Sequence, residues 1–403
     1  MQSNWRIGSL FGIPFYIDSS WLLILIFVTV INAGDINASN IIEGQPLLGW
    51  IAGFAMALLL FVSVLFHELG HSLVAKQQGI EVNSITLFLF GGIASIARES
   101  KNPKEAFQVA IAGPVVSILL FVLFYSLSQV VSQPSILQVL TSDIARINLI
   151  LALFNLIPGL PLDGGQVLKA AVWQFTGSRL KGVRWAATTG KMLGWFGIIL
   201  GLFLVLITAE VSAIWITLIG WFILRNATAY DRAISLQKAL LELVAADAMT
   251  RSFRVVDANL TLQAFAEEFI LANIQMPKPY YASSDGRYRG LIDFQNLQAQ
   301  ERSEWNNLTL LDIALPLTDI PAVAENASLV EVIKKLEEQQ LTTITVLSPA
   351  GAVSGVIDRA DIVLTLSKKQ NLPIPEEEIK RIKEEGTYPS NLQLNAITKA
   401  MEE

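Results

Sequence analysis

Apolar residues crowd positions 1–228 in long runs almost free of charge. From 229 onward they alternate with Glu and Lys in the manner of a soluble fold. A helix that crosses a bilayer needs about 20 apolar residues. Six runs are read as candidate spans. They lie at about 19–33, 48–75 and 107–131, then a fourth from near Ile144 that breaks at Pro158 and Pro161, then 192–209 and 211–224 around a tight turn at Glu210. β-branched and aromatic residues over 85–96 predict a hairpin between the second and third spans.

The polar half has its own pattern. Positions 229–241 read as a connecting helix, and a weak repeat follows. Gly290-Leu291-Ile292-Asp293 recurs 65 positions on as Gly355-Val356-Ile357-Asp358, and Asp247 recurs as Asp312. Helical patches at 260–271 and 328–339 are each followed by short β-rich runs such as 342–347. From Lys368 the chain is charged and carries Pro373, Pro375 and Pro389, which predicts a mobile or loosely docked extension.

Composition agrees with a membrane half and a soluble half. Of the 403 residues 52% are hydrophobic and only 16% charged, against roughly a quarter charged in ordinary soluble domains. There is no cysteine, so disulfides, thiolate metal sites and cysteine nucleophiles are excluded. A net charge of −6 without a basic stripe argues against a nucleic-acid partner. The N-terminus lacks the features of a removable signal peptide.

Charge also orients the spans. Lys76, Arg98, Lys101 and Lys104 fall in segment 76–106, and Lys169, Arg179, Lys181, Arg184 and Lys191 in segment 165–191, both read as loops. The alternate connections, 34–46 and 132–141, contain no Lys or Arg. The positive-inside rule makes the basic loops, the N-terminus and the soluble half cytoplasmic. Arg146 is the exception, three residues from Asp143 and within reach of pairing with it.

The two histidines of the chain stand together in His67-Glu68-Leu69-Gly70-His71. On a helix, residues i and i+4 share a face, so both imidazoles reach one ion. Catalytic zinc takes three protein ligands and keeps one position open. Glu68, beside the first ligand, is the group that can accept a proton from water there. Three ionisable groups within five residues of an apolar span are costly and functional by default. No other His or Cys remains to supply a third ligand, so the candidates are carboxylates at membrane depth. The obvious candidate is Asp163, in Asn155-Leu156-Ile157-Pro158-Gly159-Leu160-Pro161-Leu162-Asp163-Gly164-Gly165; the alternative for Asp163 is a turn aspartate at the interface. Prolines and glycines break the helix there, and irregular backbone at that depth is tolerated where it lines a cavity.

With HExxH on one span and N-x-x-P-x-x-P-L-D-G on a later one, the chain over about 10–225 resembles the site-2 protease family of intramembrane zinc metalloproteases. The resemblance implies one Zn2+ per chain held by His67, His71 and Asp163, with Glu68 as general base. It implies that Asn155 holds the scissile carbonyl or the developing oxyanion; the alternative is that Asn155 satisfies the backbone of the broken helix. Around Phe90-Gly91-Gly92 it implies an edge strand that pairs with an unwound substrate, the alternative being a plain interfacial hairpin. Ala112-Gly113-Pro114 on the third span also matches a family position and is read as close helix packing.

Over about 243–367 the repeat resembles a tandem pair of CBS modules. Such pairs often bind adenine nucleotides through G-x-x-[ST]-x-x-D. Gly355 and Asp361 match that motif and are the candidate nucleotide contacts. Asp358, however, replaces the Ser or Thr, and Asn296 stands where the first half should end in Asp. The alternative is a structural or homodimerising role.

The expected architecture is therefore a polytopic α-helical membrane domain of about six helices with a membrane-associated β-hairpin (1–228), a linker helix (229–242), an α/β soluble domain of paired CBS modules (243–367) and a charged extension (368–403). The expected activity is hydrolysis of peptide bonds in transmembrane segments of single-span proteins, under CBS regulation. The expected place is a bacterial or archaeal cell membrane, or that of a bacterially derived organelle, with lipid and transmembrane protein or peptide substrates as partners. Two other classes stand beside it. One is a proteolytically silent zinc-containing protein that binds membrane proteins; an intact Glu68 speaks against it. The other is a CBS-gated transporter, for which the spans carry too few polar residues.

Overall fold

The computed structural model describes residues 5–38, 45–89, 91–132, 135–270, 279–371, 373–389, 392 and 394. It divides into two compact units, Met1–Ile234 and Ser235–Glu403.

The first unit opens with two strands, β1 (Trp5–Leu10) and β2 (Ile13–Ile17), then α1 (Trp21–Ala38) and α2 (Pro46–Gln77). The hairpin β3 (Val82–Phe88) and β4 (Gly91–Ile96) leads into α3 (Pro103–Val130) and α4 (Ile136–Asn155), α5 (Asp163–Thr176), α6 (Arg179–Thr208) and α7 (Ile214–Glu242), whose last turns belong to the second unit. Local signals set the helix starts. Pro46 and Pro103 occupy first-turn positions, and the side chains of Asn102, Ser135 and Ser178 cap α3, α4 and α6. Gly177, at φ 65°, ends α5 in a left-handed cap.

Among the described residues, four helices are long and apolar enough to cross a membrane: α2, α3, α4 and α6. The two other expected spans are helical but weaker. The apolar stretch of α1 is shorter, and α7 turns polar at Arg225. Three boundaries differ from expectation. α4 begins at Ile136 rather than near Ile144. Segment 165–191, read as a basic loop, is helical throughout most of its length in α5 and α6. Three of its five cations are paired: Lys169 and Arg179 with Glu99, and Lys191 with Asp231. The linker helix of 229–241 is the continuation of α7. Arg146 and Asp143 do approach, at 3.9 Å.

The expected hairpin exists, with Ile85 opposite Ala94 and Leu87 opposite Gly92, although Phe90 lies outside the described residues. It belongs to a sheet of order β1-β2-β3-β4, in which β2 runs parallel to β3. Ile13, Ile85 and Leu87 bury one face of this sheet against Phe61 and Leu69 of α2. β4 is an edge strand.

The second unit repeats itself. After α8 (Ala245–Ala248) come β5 (Arg254–Asp257), α9 (Leu262–Phe265), β6 (Tyr280–Ser284), β7 (Arg287–Ile292) and α10 (Phe294–Ala299). The second half has α11 (Leu310–Ile313), β8 (Ala314–Leu315), β9 (Ala322–Ala324), α12 (Leu329–Glu338), β10 (Thr343–Leu347), β11 (Val353–Asp358) and α13 (Arg359–Gln370). In each half a parallel pair (β5 with β6, β9 with β10) is followed by an antiparallel one (β6 with β7, β10 with β11). The two repeated signatures fall at matching places. Asp293 and Asp358 cap α10 and α13, while Asp247 and Asp312 accept the backbone amides of Val244 and Thr309 at the starts of α8 and α11. Register repeats too: Leu315 bridges Leu291 on β7, and Thr250 bridges Val356 on β11, each residue of the second half 65 positions beyond its counterpart.

The described part of the extension after Lys368 is docked. α14 (Glu376–Glu385) buries Ile382, and Leu394 beyond it is fully buried, in a core shared with Leu240, Leu336 and Val363. Tyr388 lies under the Arg359 guanidinium, 5.7 Å from its ring centre. Its apolar residues are spaced among charges, which hides the amphipathic face in a residue-by-residue reading.

Candidate metal centre

α2 carries His67 and His71 on one face, both buried. α3 crosses that face. Gly113 lets it approach: a Cβ at this position would lie 2.7 Å from His67 Nε2 and closer still to His71 Nε2. Gly70 on α2 is also tight, its Cβ position being 2.9 Å from Val116. Pro114 lies inside α3 next to this contact. The Ala112-Gly113-Pro114 segment is thus more than helix packing, because it forms a wall of the histidine site.

The third member comes from the broken helix. After Asn155 the chain turns through Pro158 and Pro161 and re-enters a helix at Asp163, the first residue of α5. Gly164 and Gly165 fit against the backbone of residues 156–160, where any side chain would clash. This brings Asp163 Oδ2 to 3.0 Å from His67 Nε2 and 3.3 Å from His71 Nε2, with the two Nε2 atoms 3.3 Å apart. Three potential ligand atoms form a compact triangle. A tetrahedral zinc with bonds of about 2.0–2.1 Å has edges between ligand atoms of about 3.3 Å, so this triangle fits one face of such a site. The opposite vertex belongs to no protein atom of the set.

Outer partners fix both rings. His67 Nδ1 is 2.9 Å from Ser117 Oγ, and His71 Nδ1 is 2.7 Å from the Val109 carbonyl oxygen. Ser117 is the residue that sequence reasoning missed. Its signal was present but faint: a serine one helical turn after Gly113, on the same face of an apolar helix.

Glu68 follows His67 and is half-buried. β4 comes up to it, since a Cβ on Gly92 would lie 3.0 Å from the Glu68 carboxyl carbon and 3.1 Å from Oε1. Asn155 is the last residue of α4 and half-buried. Among the described residues its side chain has no hydrogen-bond partner.

The expected nucleotide contacts lie in the second unit. Gly355 is on β11, and a Cβ there would be 2.9 Å from the Thr250 carbonyl oxygen. Gly290 faces Leu315 in the same way, so both repeated glycines admit a crossing backbone. Asp361 is 5% exposed and closes the capping box of α13: its carboxylate accepts the Asp358 amide at 3.1 Å, and Asp358 accepts the Asp361 amide at 2.8 Å. Burial and the neighbouring Asp358 push the Asp361 carboxyl up to about 6. Both residues already have structural work.

Known proteins resemble the chain along most of its length. Residues 55–146 and 133–200 match the sequence family described as peptidase family M50, and residues 312–368 match the CBS domain. A protein of Synechocystis sp. whose name is that of a zinc metalloprotease is 40% identical over 367 residues, covering 91% of this chain and 96% of its own. A zinc metalloprotease of Methanocaldococcus jannaschii is 28% identical over 368 residues, covering 91% of this chain and 97% of its own. Among solved structures, a site-2 protease from Methanocaldococcus jannaschii is 30% identical and covers 57% of this chain and 95% of its own, with a TM-score of 0.41. The chain belongs to peptidase family M50, the site-2 proteases, and carries a CBS domain in its C-terminal half.

Proposed function

We propose that the protein hydrolyses peptide bonds within the transmembrane segments of single-span membrane proteins. The observation that carries the reading is the triangle of His67 Nε2, His71 Nε2 and Asp163 Oδ2 with Glu68 beside it. His67, His71 and Asp163 would hold a zinc ion, which would supply Lewis acidity and a water pKa lowered to about 7. Glu68 is the general base, placed to take a proton from the attacking water and to return one to the leaving amine. Asn155, with its amide uncommitted, donates to the scissile carbonyl as negative charge develops on the oxygen. A peptide bond inside a helix is hydrogen-bonded and shielded, so the substrate must unwind first. β4 offers an edge for the unwound segment, and Gly92 keeps that edge close to Glu68.

The positive-inside rule places the basic segments, the N-terminus and the CBS modules in the cytoplasm of a bacterial or archaeal cell, or on the equivalent side of a bacterially derived organelle. The modules regulate cleavage, with an adenine nucleotide at the Gly355–Asp361 segment as the candidate effector and homodimerisation through the modules as a second route. Removing residues after about 240 then changes the cleavage rate or its response to ATP.

The test is cleavage of a single-span reporter in proteoliposomes by the wild type and by Glu68→Gln. Loss of cleavage in the variant, with metal content retained, supports the reading. Equal cleavage by both contradicts it.

A further inference from the structure

The two halves of the site come from different parts of the chain. Glu68 and the β4 edge belong to α2 and the hairpin, whereas Asp163 starts α5. The segment leaving β4, residues 97–102, runs between them. Ser100 Oγ donates to the Gln78 side chain at 3.3 Å, just past the end of α2. One residue earlier, Glu99 Oε2 accepts Lys169 Nζ at 3.1 Å and Arg179 Nη2 at 2.9 Å. Lys169 lies on α5, six residues after Asp163, and is only 8% exposed. Arg179 is the first residue of α6. The backbone carbonyl of Lys169 is also crowded by Gly182 of α6, where no Cβ would fit. A cation this buried depends on its carboxylate, because loss of one partner leaves an uncompensated charge. The Glu99 side chain is about half exposed (51%), and although the protein on its other side works against its charge, Lys169 and Arg179 hold its carboxyl below the usual range.

We propose that Glu99 is a positioning residue: it clamps the outlet of β4 to α5 and so holds the strand edge beside Glu68 in register with the helix that carries Asp163. The role rests on the proteolytic reading above, in which β4 receives the substrate. The clamp touches neither the ligand atoms nor Glu68, so its loss is felt in how the substrate is seated rather than in the metal site.

The natural absence of cysteine makes the geometry measurable apart from activity. Spin labels are placed through Ile93→Cys on β4 and Phe175→Cys on α5, both exposed, in the full chain. The separation of the labels is read by pulsed electron resonance, with and without Glu99→Gln. The distance distribution is expected to be narrow in the parent and broad in the variant. An unchanged distribution overturns the clamp. In parallel, reporter cleavage by Glu99→Gln is expected to show KM raised about tenfold or more with kcat near the parent's, the pattern of lost binding that ground and transition states share, at unchanged zinc per chain. The exchange Glu99→Lys with Lys169→Glu, which keeps one carboxylate among two cations, is expected to recover most of the loss. Parent-like KM in Glu99→Gln overturns the positioning role, as does loss of zinc in that variant. If the parent cleaves nothing while the distribution still broadens, the clamp stands and the proteolytic reading falls.

Discussion

His71 Nδ1 lies 2.7 Å from the backbone carbonyl oxygen of Val109 on α3. A carbonyl only accepts, so the ring hydrogen sits on Nδ1 and the Nε2 lone pair faces His67 and Asp163. One contact between two helices thus selects the tautomer a metal needs, before any metal arrives. The same contact explains why α3 must come so close, and therefore why residue 113 is glycine.

Ser117 Oγ, 2.9 Å from His67 Nδ1, holds the orientation of that ring, although a hydroxyl can donate or accept and so does not by itself select the tautomer. Ser117→Ala leaves Nδ1 without a partner and frees the ring to turn. Zinc affinity is expected to fall about 10–100-fold, the usual cost of losing an outer partner, while the fold remains. Competition against a chelator of known affinity measures it; unchanged affinity would show that Ser117 does not orient the ligand.

Asp361 gives the soluble unit a pH signature. Its carboxyl titrates near 6 in the fold and near 3.9 when unfolded. A raised carboxyl favours the neutral form, so its contribution is full below about pH 4 and is lost as pH rises through 6. The Tm of the soluble unit in the wild type, minus that in Asp361→Asn, is expected to decline across this window and stay flat above it. A constant difference contradicts the assignment.

The docked extension contributes to the same unit. Ile382 is 1% exposed in the core beneath α14. Ile382→Ala is expected to lower the opening free energy of α13 by about 2–5 kcal/mol, the range for large-to-small changes in a packed core. Amide hydrogen exchange in the full chain checks this, and unchanged protection of α13 would mean that the tail packs without stabilising.

The metal triangle was largely legible in the sequence, because its signals are local: His67 and His71 are spaced for one helix face, and two prolines mark the break before Asp163. The partners of those ligands were not, since Ser117 and Val109 act across helices and no spacing rule links them to His67 and His71. The same limit hid the N-terminal hairpin. β2 pairs with β3, far along the chain, and its Ile13 is buried against α2. α6 began earlier than expected because Arg179 and Lys191 looked like loop charges, whereas long-range pairs with Glu99 and Asp231 satisfy them. In the repeat, Gly290 and Gly355 stood out, and each sits where the backbone of Leu315 or Thr250 crosses, a contact that no spacing rule links to them.

The central claim is that His67, His71 and Asp163 hold one zinc ion. Elemental analysis of the detergent-purified wild type and of Asp163→Ala tests it most directly. The account predicts about one zinc per wild-type chain, as a single three-ligand site requires, and clear loss in the variant. A well-folded wild type without zinc, or a variant that keeps it in full, would contradict the account.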